Sequence, residues 1–523
     1  MTDVVIIGGG HNGLVCANYL AMAGKKVRVL ERRDVVGGAA VTEEFHPGFK
    51  NSVASYTVSL LNPKIIDDLK LHDHGLSIVH RKVNNFWPHE DDNFLAFVLG
   101  EENLKQEIAQ FSASDAQALE RYFRDTGMVA DIIRDFLLET PPNVGSGLKD
   151  IFKAAKFGNR LRKLCIEDQR IITDIFTKNV SDFLDYYFEN EYVKGAFAFD
   201  GIVGNYADTQ TPGSAYVLMH HAFGEVNGKK GVWGHAIGGM GAITQAMAKS
   251  AREKGVEIKT NAGVKKVLVK NNQAYGVELE NGDKIEAKVI ASNLNPSLLY
   301  NHLVDTNELP SDFARRMKHY KNGSGTFRMN VALDKLPEFT CLKKQSRASF
   351  DHLTGGIVIA PTCEYIDQAY RDSKLLGWSQ APIVEMLIPS TIDHTLAPKD
   401  QHVASLFCQQ FNPDTDWDTH RETAADLIIE TVDKSAPGFK DSVVGRQILS
   451  PLDLERTFGL TKGDIMHGNM SLDQMFSARP MMGYGNYRSP IKGLYLCGAG
   501  THPGGGVTGA PGHNAAREII KDN

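Results

Sequence analysis

The sequence predicts an α/β fold in which a dinucleotide-binding sheet, assembled from three separated stretches of chain, carries an inserted α+β domain. Three observations point to it. An apolar run from Val4 to Ile7 leads straight into glycines at 8, 10 and 13. A second loop with the same G-x-G-x-x-G spacing, Gly504, Gly506 and Gly509, stands close to residue 523. Between them lie a helical block and a run of short strands whose periodicities differ, as those of separate domains do.

In chain order, Asp3 to Ile7 reads as a strand buried on both faces. Gly8, Gly10 and Gly13 follow, then a helix from Leu14 to Met22 that stops at Gly24, and a second strand from Lys25 to Leu30 that ends on Glu31. This is one complete βαβ unit. Its glycines allow a tight turn and close approach of backbone to a diphosphate, whose charge sits at the helix N-terminus. Glu31, eighteen residues after Gly13, is placed to accept from a ribose 2′-hydroxyl and disfavours the 2′-phosphate of NADP. Glycine spacing alone would be weak evidence; the strand, helix and acid around it supply the weight.

Val41 to Phe45 makes a short strand closed by a turn at His46-Pro47-Gly48. From Glu102 to about Leu164 the apolar residues recur at helical spacing until Pro141-Pro142-Asn143 breaks the pattern. Beyond that break, Lys153, Lys156, Arg160, Arg162 and Lys163 interleave with Ile151, Phe152, Phe157, Leu161 and Leu164. Such a helix either shows a solvated face or rests peripherally on anionic lipid. Residues 242–254 make a helix, Val256 to Lys259 a strand, and two further strands follow, joined at Asn271-Asn272. Val289-Ile290-Ala291 is suited to rejoining the first sheet.

The second glycine loop leaves only fourteen residues to Asn523, too few for a βαβ unit of ~30 residues. A strand from Leu494 to Cys497, the loop, and a helix from about Pro511 to Lys521 do fit. The second loop is therefore expected to meet the far end of a cofactor whose near end is held by Gly8 to Gly13. The resulting division is 1–85, 215–300 and 485–523 for the dinucleotide-binding domain, and 86–214 and 301–484 for the inserted one.

Formal net charge is -6 with no long basic run, which argues against nucleic-acid binding. No stretch of eighteen apolar residues suggests a transmembrane helix, and a strand starting at Asp3 leaves no room for a leader, so a cytoplasmic location is expected. The six cysteines contain no C-x-x-C, which argues against thiol redox chemistry and a zinc site; no metal is expected.

The strings GGGHNGL, ERRDVVGGAAVTEE, PGFKNSVASYTVSLLNP, DIMHGNMSLDQMFSARP and GLYLCGAGTHPGGGVTGAPGHNAA resemble the pyridine nucleotide-disulfide oxidoreductase domain-containing protein 2 family, within the phytoene desaturase and amine oxidase group of FAD enzymes. The resemblance implies a discontinuous Rossmann-type FAD-binding domain, an inserted substrate domain built on an antiparallel sheet, and one FAD held by both glycine loops. It implies that Gly8, Gly10, His11, Asn12 and Gly13 hold the diphosphate and Glu31 the adenosine ribose. Arg32, Gly37 and Gly38 would run beside the cofactor, with Ala39 where related desaturases commonly carry arginine, and the backbone of Val264 would meet the adenine. Gly500, Gly506, Val507, Thr508 and Gly509 would lie near the ribityl chain and flavin ring, and Ser55, in Ser52 to Tyr56, near the flavin face.

The activity implied is FAD-dependent hydride removal from an organic, lipid-like substrate. Two alternatives stand beside it: isomerisation without net redox, and a non-catalytic FAD-binding role in respiration through a protein partner, in the mitochondrial matrix for a eukaryotic relative. Thr508, His513 and Asn514 place polar groups where carotenoid enzymes are small and apolar, which argues against a carotenoid substrate. His467 and His502 are the side chains most able to move a proton near neutral pH; a histidine held structurally by backbone is the competing reading.

Overall fold

The structure, a computed structural model, describes residues 2–90, 93–143, 147–342 and 351–523. Five strands form the parallel part of a seven-stranded sheet in the order Glu257–Lys259, Val27–Leu30, Thr2–Ile7, Lys284–Ser292, Leu494–Leu496. The N-terminal strand is central, and strands from three distant parts of the sequence close around it. Their registers bring Ile7, Leu30, Lys259, Ser292 and Leu496 to one edge. In parallel sheets of this kind, ligands bind outside the carboxyl ends of the strands.

One face of the sheet is covered by the helices His11–Met22, Met240–Glu253 and Ala510–Asp522. Cys16, Ala17 and Leu20 of the first helix pack on Ala515, Ala516 and Ile519 of the last, which joins the two ends of the chain in one core. Lys284–Ser292 also pairs antiparallel with Gln273–Leu279, and that strand with Val264–Lys270, in a meander whose Val267 and Val277 join Val5, Ile7 and Leu30 in the core on the other face.

A seven-stranded mixed sheet runs in the order Val443–Leu449, Phe327–Leu333, His402–Phe411, Trp378–Leu387, Gly356–Ile359, Val83–Pro88, Phe94–Val98. Period-two alternation gives it two characters. Met329, Met386 and Leu406 point into an apolar core shared with Trp417, Ile428 and Val432 of the helix Trp417–Ser435. Arg328, Asn330, Ser405 and Glu385 lie on the opposite face, where Asn330 Oδ1 accepts from Asn51 Nδ2 in the hairpin Thr42–Ser52. A helical layer built on Ala113–Leu137, Glu191–Asp200 and Ser214–Ala222 packs beside this sheet.

Two stretches lie across the boundaries read from sequence. Ser214–Ala222 buries Tyr216, Leu218 and Met219 in the helical layer, and Leu299 to Tyr320 joins the core beneath the parallel sheet. In both, a continuous apolar face carries the chain past the expected break. The basic helix Leu148–Arg162 is exposed throughout Ile151 to Arg160, with Phe152 74% exposed, and is tied down by an Arg160–Asp135 ion pair and a Phe136–Phe157 edge contact. Among the described residues, no helix is long and apolar enough to cross a membrane.

Candidate functional site

The first glycine loop leaves the central strand at the carboxyl edge of the sheet. Gly8 takes φ +93°, a conformation that favours glycine, and a Cβ on Gly13 would sit 2.3 Å from the Gly8 carbonyl oxygen. A Cβ on Gly10 would lie 2.7 Å from Asn293 Nδ2. The second glycine pair crosses beneath: Gly37 N–H donates to Gly9 O at 2.9 Å, and Gly38 packs on Gly10. Glu31, at the end of the neighbouring strand, is buried and accepts from Gly9 N–H (2.8 Å) and Arg33 N–H (2.9 Å). Each carboxylate oxygen keeps a further lone pair for a ribose hydroxyl. Gly10 caps the helix His11–Met22 without a side-chain bond, leaving the first N–H groups of the helix free for an anion.

A cavity of about 240 Å³ opens here. Of the residues expected at a cofactor, Gly8, Gly10, His11, Asn12, Glu31, Arg32, Gly38, Ala39 and Val264 line it, and so does His467, expected as a proton carrier. His11 Nε2, Asn12 Oδ1 and His467 Nδ1 are buried polar atoms without a partner. Such atoms are rare in folded proteins. With the glycine cradle and the positioned acid, they fit a long polar ligand of dinucleotide type. Arg32 is engaged elsewhere, donating to the carbonyls of Arg456 and Thr457 at 3.0 Å.

The C-terminal loop meets the first one through His11, whose ring hydrogen-bonds the backbone of Gly506. Ser55, Gly506 and Val507 line a second cavity of about 100 Å³ together with Tyr56, Thr57, His220, Trp233 and Met466. The remaining expected residues line neither cavity. Gly13 and Gly37 shape the turns, and Gly500 packs where a Cβ would lie 2.2 Å from Pro296 Cδ. Gly509 packs against Ile65, and Thr508 Oγ1 accepts from Ala510 N–H at the start of the last helix.

The string DIMHGNMSLDQMFSARP forms a buried knot that sets His467 in place. Asp464 accepts from the N–H groups of Gly323, Met466 and Gly468. Arg479, fully buried, donates to the carbonyls of Met466, Gly468, Gln474 and Ala499. Burial lowers the pKa of His467 to about 3 and that of His11 to about 4, so both rings are neutral at physiological pH. The pairing of His467 with His502 as proton carriers needs correction. His502 lies outside both cavities, its Nε2 3.0 Å from Phe136 O and its pKa lowered by burial to about 4. The polar residues set against a carotenoid substrate also lie elsewhere: Asn514 Nδ2 donates to Leu137 O and the Tyr487 hydroxyl, and His513 meets Tyr19 edge-on. They fasten the last helix to its neighbours.

Sequence reasoning missed the polar face of the mixed sheet. The Tyr56 hydroxyl, in the smaller cavity, donates to buried Glu385. Arg328 lies 4.7 Å over the Tyr56 ring, and Arg81 donates to Thr57 Oγ1. A third cavity, of about 450 Å³, runs between this sheet and the helical layer and is walled by Asn85, Trp87, Phe97, Tyr122, Phe197, Asp200 and Leu218. Trp233 borders both this cavity and the smaller one. Burial raises the pKa of Asp200 to about 7, helped by the Glu385 charge. The available signal was the alternation in Thr326-Phe327-Arg328-Met329-Asn330-Val331, which marks a strand with one polar face.

A model of the flavin containing amine oxidoreductase family matches residues 13–378. The chain belongs to that family. Within it, the pyridine nucleotide-disulfide oxidoreductase domain-containing protein 2 of Rattus norvegicus is 40% identical, covering 99% of this chain and 93% of the rat protein. A lycopene-forming phytoene desaturase of Pseudescherichia vulneris is 25% identical over 97% of this chain and 96% of its own. An oxidoreductase from Methanosarcina mazei shares the fold, with a TM-score of 0.62 at 16% identity, covering 99% of this chain and 100% of the other. As a member of the flavin containing amine oxidoreductases, this chain is a flavin oxidoreductase, and the glycine-lined cavity is where its residues fit such a cofactor.

Proposed function

We propose that the protein is an FAD-dependent oxidoreductase that removes a hydride from an organic substrate with an apolar body. The observation that carries this reading is the meeting of the two glycine loops at His11 and Gly506, with the Glu31 carboxylate at one end of the path and Ser55 and Val507 at the other. FAD bound along it would accept the hydride. Glu31 would hold the adenosine ribose, the loop of Gly8 to Gly13 would receive the diphosphate, and neutral His467 would offer a hydrogen bond to the cofactor without adding charge. The cavity walled by Trp87, Phe97, Tyr122 and Phe197 receives the apolar part of the substrate.

The desaturase likeness supports a substrate that is apolar over much of its length. The exposed helix Leu148–Arg162, with Ile151 and Phe152 among basic residues, favours delivery from an anionic lipid surface. The test is the visible spectrum of the purified protein and its anaerobic bleaching by candidate substrates. A yellow protein with one FAD per chain that bleaches with an apolar substrate supports the reading. A chain that neither carries FAD nor takes it up ends it. Flotation with acidic liposomes, compared with a charge-reversed helix, tests lipid contact; equal flotation of the two would refute it.

A further inference from the structure

We propose that the substrate carries a carboxylate, bound by Arg81 and Arg328 beside Tyr56 and Thr57, with its apolar part in the larger cavity. This deepens the oxidoreductase reading and rests on it for where the reacting end lies.

The argument begins from two buried guanidinium groups. Arg81 is 3% exposed and Arg328 0%. Neither is among the ion pairs within 4 Å made by the described residues. Arg81 gives one N–H to Thr57 Oγ1, and Arg328 gives one to Ser405 Oγ at 2.7 Å. Arg328 Nε and Nη1 are buried with no partner. Glu385, the carboxylate beside them, accepts from the Tyr56 hydroxyl and offsets only one of the two positive charges. Burial lowers the pKa of Arg328 only to about 10, so it stays charged at neutral pH. Buried charge that is not fully balanced is costly in a protein interior, and here two buried guanidinium groups face the single carboxylate of Glu385, leaving one positive charge in excess and two Arg328 donors unused.

The surroundings limit what can relieve that cost. Thr57 and Tyr56, the residues the two arginines touch, line the smaller cavity with Gly506 and Val507. The backbone N–H of Arg81 donates to the carbonyl of Trp233, which borders both cavities. A cationic ligand would add to an excess of positive charge, and an apolar one would leave the Arg328 donors unpaired. A carboxylate matches the planar fork of a guanidinium through two hydrogen bonds. The aromatic wall of the larger cavity suits an apolar body behind it.

The test uses the FAD-loaded protein, titrated with a series of straight-chain carboxylates and benzoate, and with the corresponding amides, amines and phosphate esters. Binding is read from perturbation of the visible flavin spectrum and from the shift in Tm. At least one carboxylate should perturb the spectrum and raise Tm while its amide and amine do not. Arg328→Met and Arg81→Met should each weaken that carboxylate about tenfold or more at unchanged flavin content, with Arg328→Lys partly restoring it. Preference for amines, amides or phosphate esters, no binding of any carboxylate, or equal carboxylate affinity in Arg328→Met would overturn the proposal. The wild-type preference needs no variant, so a variant that fails to fold leaves the test intact. If the chain holds no FAD, the oxidoreductase reading fails by itself, while Tm shifts with carboxylates still report on the arginines.

Discussion

The two ends of the candidate site are built from different materials. At the dinucleotide end, backbone does the holding: glycines whose missing Cβ atoms leave room, helix N–H groups, and one carboxylate fixed by two backbone donors. At the substrate end, side chains do it, brought from residues 56, 81, 200, 328 and 385 onto one face of a sheet and its neighbours. The backbone end tolerates almost no added atoms. The side-chain end is adjustable in charge, and its tolerance for change should depend on pH.

The sharpest break in that contrast would come from Gly13→Ala. A Cβ 2.3 Å from the Gly8 carbonyl cannot be accommodated without moving the loop, so flavin retention should be lost. Flavin-to-protein ratio after desalting checks this, with circular dichroism to confirm folding; full retention would mean the loop does not hold the cofactor.

Arg479→Ala comes next. It strips the donor from carbonyls at 466, 468, 474 and 499, and leaving such buried acceptors unpaired costs ~3 kcal/mol or more in total. Thermal unfolding should show a drop in Tm of many degrees, and a wild-type Tm would mean the knot is dispensable.

Asp200→Asn tests the substrate end through its pH dependence. The folded-state pKa of Asp200, raised to about 7, lies above its ordinary value. The native state therefore binds the proton more tightly than the unfolded chain, and the penalty for ionising Asp200 grows as pH rises from about 4 to about 7, then stays constant. The variant should be more stable than the wild type at pH ~8, by of order a few kcal/mol, with the difference vanishing near pH ~4. Denaturant unfolding at both pH values measures it; a pH-independent difference would contradict the burial argument.

Glu31→Ala should be the mildest. Losing charge-assisted bonds to a ribose is expected to weaken FAD about tenfold to a hundredfold, read by titration of the apo-protein. Unchanged affinity would remove the ribose assignment.

The same contrast explains what could be read from sequence. The backbone end is local in sequence. Strand, glycines, helix and acid follow within the first 31 residues, so the parallel sheet and its helices were legible, and the return of Lys284–Ser292 and Leu494–Leu496 was signalled by short apolar runs. Glu385 and Arg328 look like isolated charges in apolar strands, and only pairing of Trp378–Leu387 with His402–Phe411 and of that strand with Phe327–Leu333 puts them on one face. His502 shows the converse error. Its place in a glycine-rich loop suggested chemistry, but the turn directs the ring to the carbonyl of Phe136, a contact between residues 366 positions apart. Composition carries no information about such distant partners.

The central claim is that one FAD is held by both glycine loops. It is tested most directly by calorimetric titration of the apo-protein with FAD and with AMP, in the wild type and in Gly506→Val, where a Cβ would meet Leu60 Cδ1 at 2.6 Å at a φ of +87°. The account predicts one FAD per chain, FAD affinity sharply reduced by Gly506→Val, and AMP affinity unchanged. Undiminished FAD binding in the variant, or two independent FAD sites per chain, would contradict it.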